Sequence, residues 1–449
     1  MKGREFYEEF FKKILNNKKG EEIFASFLFE KNEVTRYSKS KIHQNTSYEN
    51  FRVLISIKEK DKVVTRSFTN PDIRNVKEIV DKTYDMIAHS APVDYPDFPG
   101  QDSYREVFTF DEKTYNVEED ERAEAVSKTA KILGEFEGFG VVNTGGSEIA
   151  IFSSKGLSVY GVLSDAHVTI TAMKGSASGW AEGHSRKFSN IDIEKLAKEA
   201  RLKAENSFNK VQIEPGEYKV FLEPEAVADI FMFASYIGFS AKTYQEKRNF
   251  LVGRLGQKIF SEKLTVIEDP YFEEGFAFPF DFEGVSKKKV DLIFNGVAKN
   301  LLYDRKTALK ENKKSTGNAA GFPPLTIPFP FNLVIEPGEK SKDEILSGIE
   351  KGIYVSRFHY TNIVNPSEFV ITGMTRDGTF LIEKGKITKP IKNLRFTDSF
   401  IRVLGQDIEI SKERKLISQA TSYDFRFPTG IYAPYIMIPN LRFTSGTEF

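Results

Sequence analysis

The chain has 449 residues, with 64 Lys plus Arg set against 64 Asp plus Glu and five His besides, so its formal net charge is zero. That balance argues against a whole-chain basic footprint for nucleic acid and against an acidic tail. With no cysteine there is no disulfide framework, thiolate nucleophile or thiolate metal ligand.

The opening run MKGREFYEEFFKKILNNKKG spreads Glu and Lys through its apolar part, which a secretory signal does not tolerate. Phe6, Tyr7, Phe10, Phe11, Ile14 and Leu15 recur at helical spacing, so the segment reads as an amphipathic helix facing a core or a subunit. Strand-like runs follow: EIFASFLFEK, EVTRYSKSK, SYENFRVLISIK and KVVTRSF, which predict an antiparallel meander. Pro71 suits the first turn of a second helix, whose stripe is Val76, Ile79, Val80, Tyr84 and Ile87. Pro92, Pro96, Pro99 and Gly100 mark an extended surface loop from Ser90 to Tyr104.

The rhythm then repeats. A helix through DERAEAVSKTAKILGEFE precedes the runs GVVNT, EIAIFSS, LSVYGVLSD, HVTITAMKG and SASGWAEG. A further helix spans Asn190 to Phe208, with Ile193, Leu196, Ala197, Ala200 and Leu202 on its apolar side. Two similar helix–meander–helix units packed on antiparallel sheet are therefore expected. Past Ile213 to Val220 the composition shifts toward Pro and Phe, as in GFAFPFDFEG and GFPPLTIPFPFN. The helix after Glu223 is the best one there, and Asp377-Gly378 predicts a tight hairpin turn. The expected class is α+β: an N-terminal domain over 1–212 with meanders and packing helices, and a mostly-β domain over 213–449 with few helices. No window approaches eighteen uncharged apolar residues, so a soluble cytoplasmic protein is expected.

Local motifs for chemistry are near misses. His43, His89, His167, His184 and His359 include no pair within four residues, so any His site must be assembled from distant parts of the chain. Gly140-x-x-x-x-Gly145-Gly146-Ser147 has Gly146 where a phosphate loop needs Lys. Gly175-Ser176-Ala177-Ser178-Gly179 has Ala177 where a nucleophile elbow needs Ser. Ser286-x-x-Lys289 is too short a pattern to carry an assignment. The Phe-rich stretches sit among Pro and Gly rather than Arg, which suits core pins or an apolar peptide groove better than base stacking.

An ordered set of longer pieces says more. IEPGEYKVFLEPEAVADIFMF, RNFLVGRLGQKIFSEKLTVIEDP, YDRKTALKENKKSTGNAAG, the GIYV of Gly352 to Val355, NPSEFVITGMTRDGTFLIEKGKITKPIKNLRFTDSF and YIMIPNLRF follow one another. Together they resemble the TldD/PmbA family, also called modulators of DNA gyrase, over nearly all of the chain past Pro215. The resemblance implies cytoplasmic peptidases and their paired subunits. In the TldD branch a helical His-Glu-x-x-x-His motif and a downstream Cys hold zinc, with the Glu as general base. Here Pro224 stands where the first His belongs and Asp229 where the second belongs, so only Glu225 survives. The stretch from Ser422 to Thr429, where that branch has its Cys, has none. Pro224 then simply starts a helix, Glu225 favours its positive end, and Asp229 is expected to be solvated.

The resemblance thus points to the metal-free PmbA/TldE-like branch. It implies a subunit with no metal of its own, whose zinc resides in a TldD-type partner, and which adds cavity wall and dimer contacts for unfolded peptide. The partner is that homologue or a second copy; neither membrane nor nucleic acid is expected. Two other readings stay open: an autonomous homodimeric hydrolase with an unrecognised site, and a non-enzymatic binding or scaffold protein. Ser315, Thr316, Gly317 and Asn318 are the candidate substrate-contacting turn.

Overall fold

The computed structural model describes residues 1–418 and 425–446. Helix α1 (Arg4–Asn16) buries Tyr7, Phe10, Phe11 and Ile14 against strands β1 (Glu22–Ser38), β2 (Lys41–Glu59) and β3 (Lys62–Thr69). Helix α2 (Val76–Tyr84) closes this unit with the expected Val76, Ile79 and Val80 inward. A short α3 (Glu112–Tyr115) and α4 (Glu119–Leu133) lead into β4 (Glu137–Ser153), β5 (Ser158–Lys174) and β6 (Ala177–Ser185), followed by α5 (Ile193–Glu205).

The repeated rhythm is therefore real, but the two meanders share one sheet, ordered β3-β2-β1-β4-β5-β6, because β1 pairs antiparallel with β4 along almost its whole length. Fewer and longer strands replace the runs expected from local patterning. EIFASFLFEK and EVTRYSKSK are one strand, as are GVVNT and EIAIFSS. Polar residues such as Asn32 and Glu33 stay in register with both neighbouring strands, and Arg426 and Arg122 donate to their side chains, so they do not force turns. The Ser90–Tyr104 segment is extended but not wholly superficial: Tyr95 and Phe98 are buried with Phe278 and Phe280 from the C-terminal half.

The C-terminal half builds a large mixed sheet. It opens with β7 (Gly216–Leu222), α6 (Pro224–Ile237), α7 (Ala241–Gln245), β8 (Val266–Glu268), β9 (Val290–Phe294), β10 (Val297–Ala298) and α8 (Arg305–Lys310). The pieces β11 (Ala319–Ala320), β12 (Ile327–Pro328), β13 (Asn332–Ile335) and α9 (Lys342–Ser347) follow. Long strands complete it: β14 (Lys351–Asn365), β15 (Val370–Glu383), β16 (Lys386–Pro390), β17 (Leu394–Ser399), α10 (Phe400–Leu404), β18 (Glu409–Ser418) and β19 (Gly430–Gly446). Pairings run β7–β14–β15–β17–β19 and back from β19 to β7, closing a ring of strands that removes most free edges. Helix α6, apolar on nearly every side, packs on β14, β18 and β19 as a buried helix should.

The Asp377-Gly378 pair does not make the hairpin turn. Both residues lie within β15, and the chain reverses at Lys384-Gly385 instead. Asp377 and Gly378 have φ of 52° and 146°, and the β14 partner carries a register shift between Val355 and Arg357. The Asp377 carboxylate accepts two hydrogen bonds from Arg357, so a bulge with a paired side chain replaces the expected turn.

Candidate functional site

Helix α6 begins as the sequence suggests. Glu223 occupies the N-cap, Pro224 the first turn with its preset φ, and Glu225 sits beside the positive end. Glu225, Ala228, Asp229 and Met232 fall at helical spacing, so one face presents all four to a cavity of about 170 Å3. The opposite wall is β6. Its alternation sends Gly179, Ala181 and Gly183 toward α5 and Trp180 and Glu182 into the cavity. Arg357 and Phe358 from β14, Ile417 and Ser418 from β18, and Ile431 from β19 complete the lining. The cavity thus lies between the six-stranded sheet and the ring of strands.

The degenerate motif positions do come together here, but not as a metal centre. Pro224 offers no donor atom. Glu225 Oε1 accepts a hydrogen bond from Lys415 Nζ at 2.6 Å, with the Glu225 side chain only 5% exposed. Lys203 Nζ donates to Glu199 and to Glu223, both at 2.7 Å, and the Tyr354 hydroxyl donates to Glu223 as well. Three carboxylates that lie close enough to hold a cation, Glu199, Glu223 and Glu225, are therefore already matched by two lysines. Burial pushes the Glu225 carboxyl up, with the charges of Glu223 and Glu182 adding to it and Lys415 opposing. Asp229 is not the solvated residue expected. It lines the cavity, accepts a hydrogen bond from the Thr361 hydroxyl at 2.7 Å, and is pushed up by burial. An oxygen pair of this kind, one member locked to lysine, does not fit the two imidazoles and thiolate of a tetrahedral zinc site. Of the stretch from Ser422 to Thr429, residues 422–424 lie outside the described residues; the rest carries no thiol.

Among the described residues Arg357 is the one cation on the lining. Its guanidinium stacks over the Trp180 ring at 4.1 Å while its Nε donates to Asp377 at 3.0 Å. Trp180 Nε1, also buried, has no hydrogen-bond partner among the described residues. Apolar Met232, Phe358, Ile417 and Ile431 share the lining with acidic Glu182 and Asp229.

Sequence reasoning missed the histidines behind this wall. His167 on β5 lies directly opposite His184 on β6, seventeen residues away in the chain. His184 Nε2 donates to Glu182 Oε2 at 3.0 Å. Burial, then the charge of His184, presses His167 down to about 3. Burial alone would raise Glu182, but the hydrogen bond and charge of His184 hold it at about 2. The available signal was Glu182-x-His184 in a strand, which places both side chains on one face.

The tetrad Ser315, Thr316, Gly317 and Asn318 stands elsewhere. Ser315 and Thr316 hydroxyls both donate to the Tyr303 carbonyl, at 2.9 and 3.1 Å. Gly317 has φ 75° and backs onto Ser286 and Lys287, leaving no space for a side chain. Asn318 is fully buried and donates to Glu268 at 3.0 Å. None of the four lines the cavity beside α6. Lys289 from the short Ser286 pattern pairs with Asp269 at 3.1 Å.

Residues 215–445 match the PmbA/TldA metallopeptidase C-terminal domain, and residues 107–208 match the central domain of the same family. An uncharacterised protein of Methanocaldococcus jannaschii is 30% identical over 243 residues, covering 52% of this chain and 56% of that one. A metalloprotease of Methanothermobacter thermautotrophicus is 26% identical over 251 residues, 56% of this chain and 55% of its own. The chain thus spans about half the length of the curated relatives it matches. Among solved structures, TldE from Thermococcus kodakarensis superposes with a TM-score of 0.86 at 22% identity, over 98% of this chain and 100% of that one. That likeness confirms the fold.

Proposed function

This chain belongs to the TldD/PmbA metallopeptidase family, and from that premise we propose that it is the zinc-free, PmbA/TldE-like subunit of a cytoplasmic peptidase assembly. The observation that carries the reading is the start of α6, where Pro224 and Asp229 replace donors and Lys415 occupies the one remaining carboxylate, Glu225. A residue set of that kind cannot polarise a peptide carbonyl or lower the pKa of a water. Hydrolysis is then supplied by a TldD-type zinc-bearing homologue, and this chain adds wall and contact surface around an unfolded peptide. Selection works by exclusion: an extended chain can enter an enclosed space and pair along strand edges, and a folded domain cannot. Among the described residues no helix is long and apolar enough to cross a membrane.

The test is co-expression with a homologue carrying His-Glu-x-x-x-His, followed by assay on an unfolded peptide. Co-elution of the two chains and cleavage by the mixture alone are expected. Chelator-resistant cleavage by this chain by itself would favour the autonomous hydrolase and overturn the subunit reading.

A further inference from the structure

The face of β6 that lines the α6 cavity continues past it. Trp180 and Glu182 line the cavity, and Ser178, two residues back on the same face, lines a separate groove of about 510 Å3. Strand β14 makes the same passage, from Arg357 and Phe358 in the cavity to His359 in the groove. The Arg357–Asp377 pair stands between the two spaces, with Arg357 on the cavity lining and Asp377 on the groove lining. At about 3.4 Å per residue, the run from Glu182 back to Ser178 has the length of about four residues of extended peptide.

The groove differs from the cavity in charge. Lys210, Arg376 and Lys392 line it, and among the described residues Asp377 is the one carboxylate beside them. That carboxylate is already committed: Arg357 donates to it twice, and Arg376 Nε stands 3.7 Å from it. Lys210 Nζ donates to the Ser176 carbonyl at 2.8 Å, and neither Lys210 nor Lys392 forms an ion pair among the described residues. Two groups on the wall register the excess. Burial presses Lys210 down, with Asp377 alone opposing it. Burial, then the charges of Arg376 and Arg357, press His359 down against Asp377. In a chain of zero net charge this is a local surplus of positive charge, which an anion would neutralise. Met173 and Met374 add adaptable apolar surface to the same wall, which suits a peptide better than a bare inorganic ion.

We propose that this groove binds a peptide carboxylate through Lys210, Arg376 and Lys392, with the adjoining peptide residues lying along β6 and β14 toward the α6 cavity. The assignment rests on the reading of this chain as a peptide-handling subunit and adds where on its wall a charged group goes. Ionised Glu182 repels a carboxylate from the cavity, and the groove attracts it. The carboxylate is a free C-terminus or an acidic side chain, and the experiment separates the two.

The full chain carries a single tryptophan, which serves as the reporter. Trp180 lies against Arg357, whose partner Asp377 lines the groove, so fluorescence reads occupancy, with calorimetry alongside. The probes are N-acetyl-tetra-alanine as the free acid, the same peptide as its C-terminal amide, the amide with glutamate as its last residue, and inorganic phosphate. A carboxylate-bearing peptide should bind at least about 10-fold tighter than the plain amide, the low end of what a hydrogen bond to a charged group is worth. Binding should weaken as salt is added. A gain for the free acid alone supports the groove as a C-terminus site; an equal gain for the glutamate amide supports it as a site for either carboxylate. Arg376→Gln and Lys392→Gln, both at exposed positions, should each weaken the free acid about 10-fold. Lys77→Gln, exposed on α2, should leave binding unchanged. Equal binding of all three peptides, no saturable binding, phosphate bound tighter than either carboxylate peptide, or free-acid binding that survives the Arg376→Gln, Lys392→Gln double variant overturns the proposal. Binding needs no second chain, whereas co-elution and cleavage decide the subunit reading, so the two fail separately.

Discussion

Replacing Lys415 by Met tests whether the start of α6 is an ion-pair network rather than a vacant metal site. The change keeps most of the stem and removes the charge that meets Glu225 at 2.6 Å. At an effective dielectric of about 20, two unit charges at that spacing attract by roughly 6 kcal/mol before desolvation is subtracted. Breaking a buried pair from one side costs about 3–5 kcal/mol, because the surviving charge is left uncompensated. In wild type three carboxylates face two lysines; in the variant Glu199, Glu223 and Glu225 face Lys203 alone. Glu225 can escape the cost only by holding a proton. Its carboxyl already sits above its ordinary value, chiefly through burial, and goes higher without Lys415. The linkage sign follows. Below the unfolded carboxyl value both states are protonated and the variant loses only packing and one hydrogen bond, about 1 kcal/mol. As pH rises toward the folded value the native state keeps a proton that the unfolded state has released, and stability falls. Denaturant midpoints should therefore show a deficit of about 3 kcal/mol at pH 8 against about 1 kcal/mol at pH 4. Adding Glu225→Gln should recover about 2 kcal/mol of the deficit at pH 8. Equal deficits at both pH values, or strict additivity of the two substitutions, would refute the network.

Arg426→Met should lower stability by about 3–5 kcal/mol in denaturant melts, since its buried guanidinium bonds Asp165, Asn32 and Asn143 of the six-stranded sheet. Glu283→Gln should flatten the pH dependence of stability. Burial, then the charges of Asp281 and Asp304, pushes Glu283 up to about 8, so wild type loses stability as pH rises from about 4.5 through that value and the variant should lose less. Gly179→Ala should cost about 1–3 kcal/mol and perturb the cavity wall, because its Cβ would stand 2.1 Å from the Ala200 carbonyl and wedge β6 off α5; Trp180 fluorescence reads the displacement.

The sequence made the periodic parts legible. The stripe on α1, the stripe on α2 and the Pro224 start of α6 all follow from spacing and capping chemistry, which act within a few residues. Strand lengths and the hairpin turn were less so, for a physical reason. Whether Asn32 or Asp377 ends a strand depends on what the neighbouring strand offers it, and Arg357 reaches Asp377 from twenty residues away. Local propensity had no access to that partner. The candidate turn at Ser315–Asn318 shows a similar limit: small hydrogen-bonding residues look alike whether they face a ligand or the Tyr303 carbonyl.

The cavity was legible on one side only. The α6 face came from a helical period and a damaged motif, both contained in the nine residues from Pro224 to Met232. The facing wall needed the register of β5 on β6, which sets His167 opposite His184 across a hairpin. Period-two alternation placed Glu182 and His184 together, but alternation alone did not say that the face turned toward α6 rather than α5. That was decided by Gly179, Ala181 and Gly183, whose missing bulk lets α5 approach so closely that the larger alternate residues must point the other way. Small residues on one face of β6 thereby determine the chemistry available on the other, and they couple two halves of the chain that share no local motif.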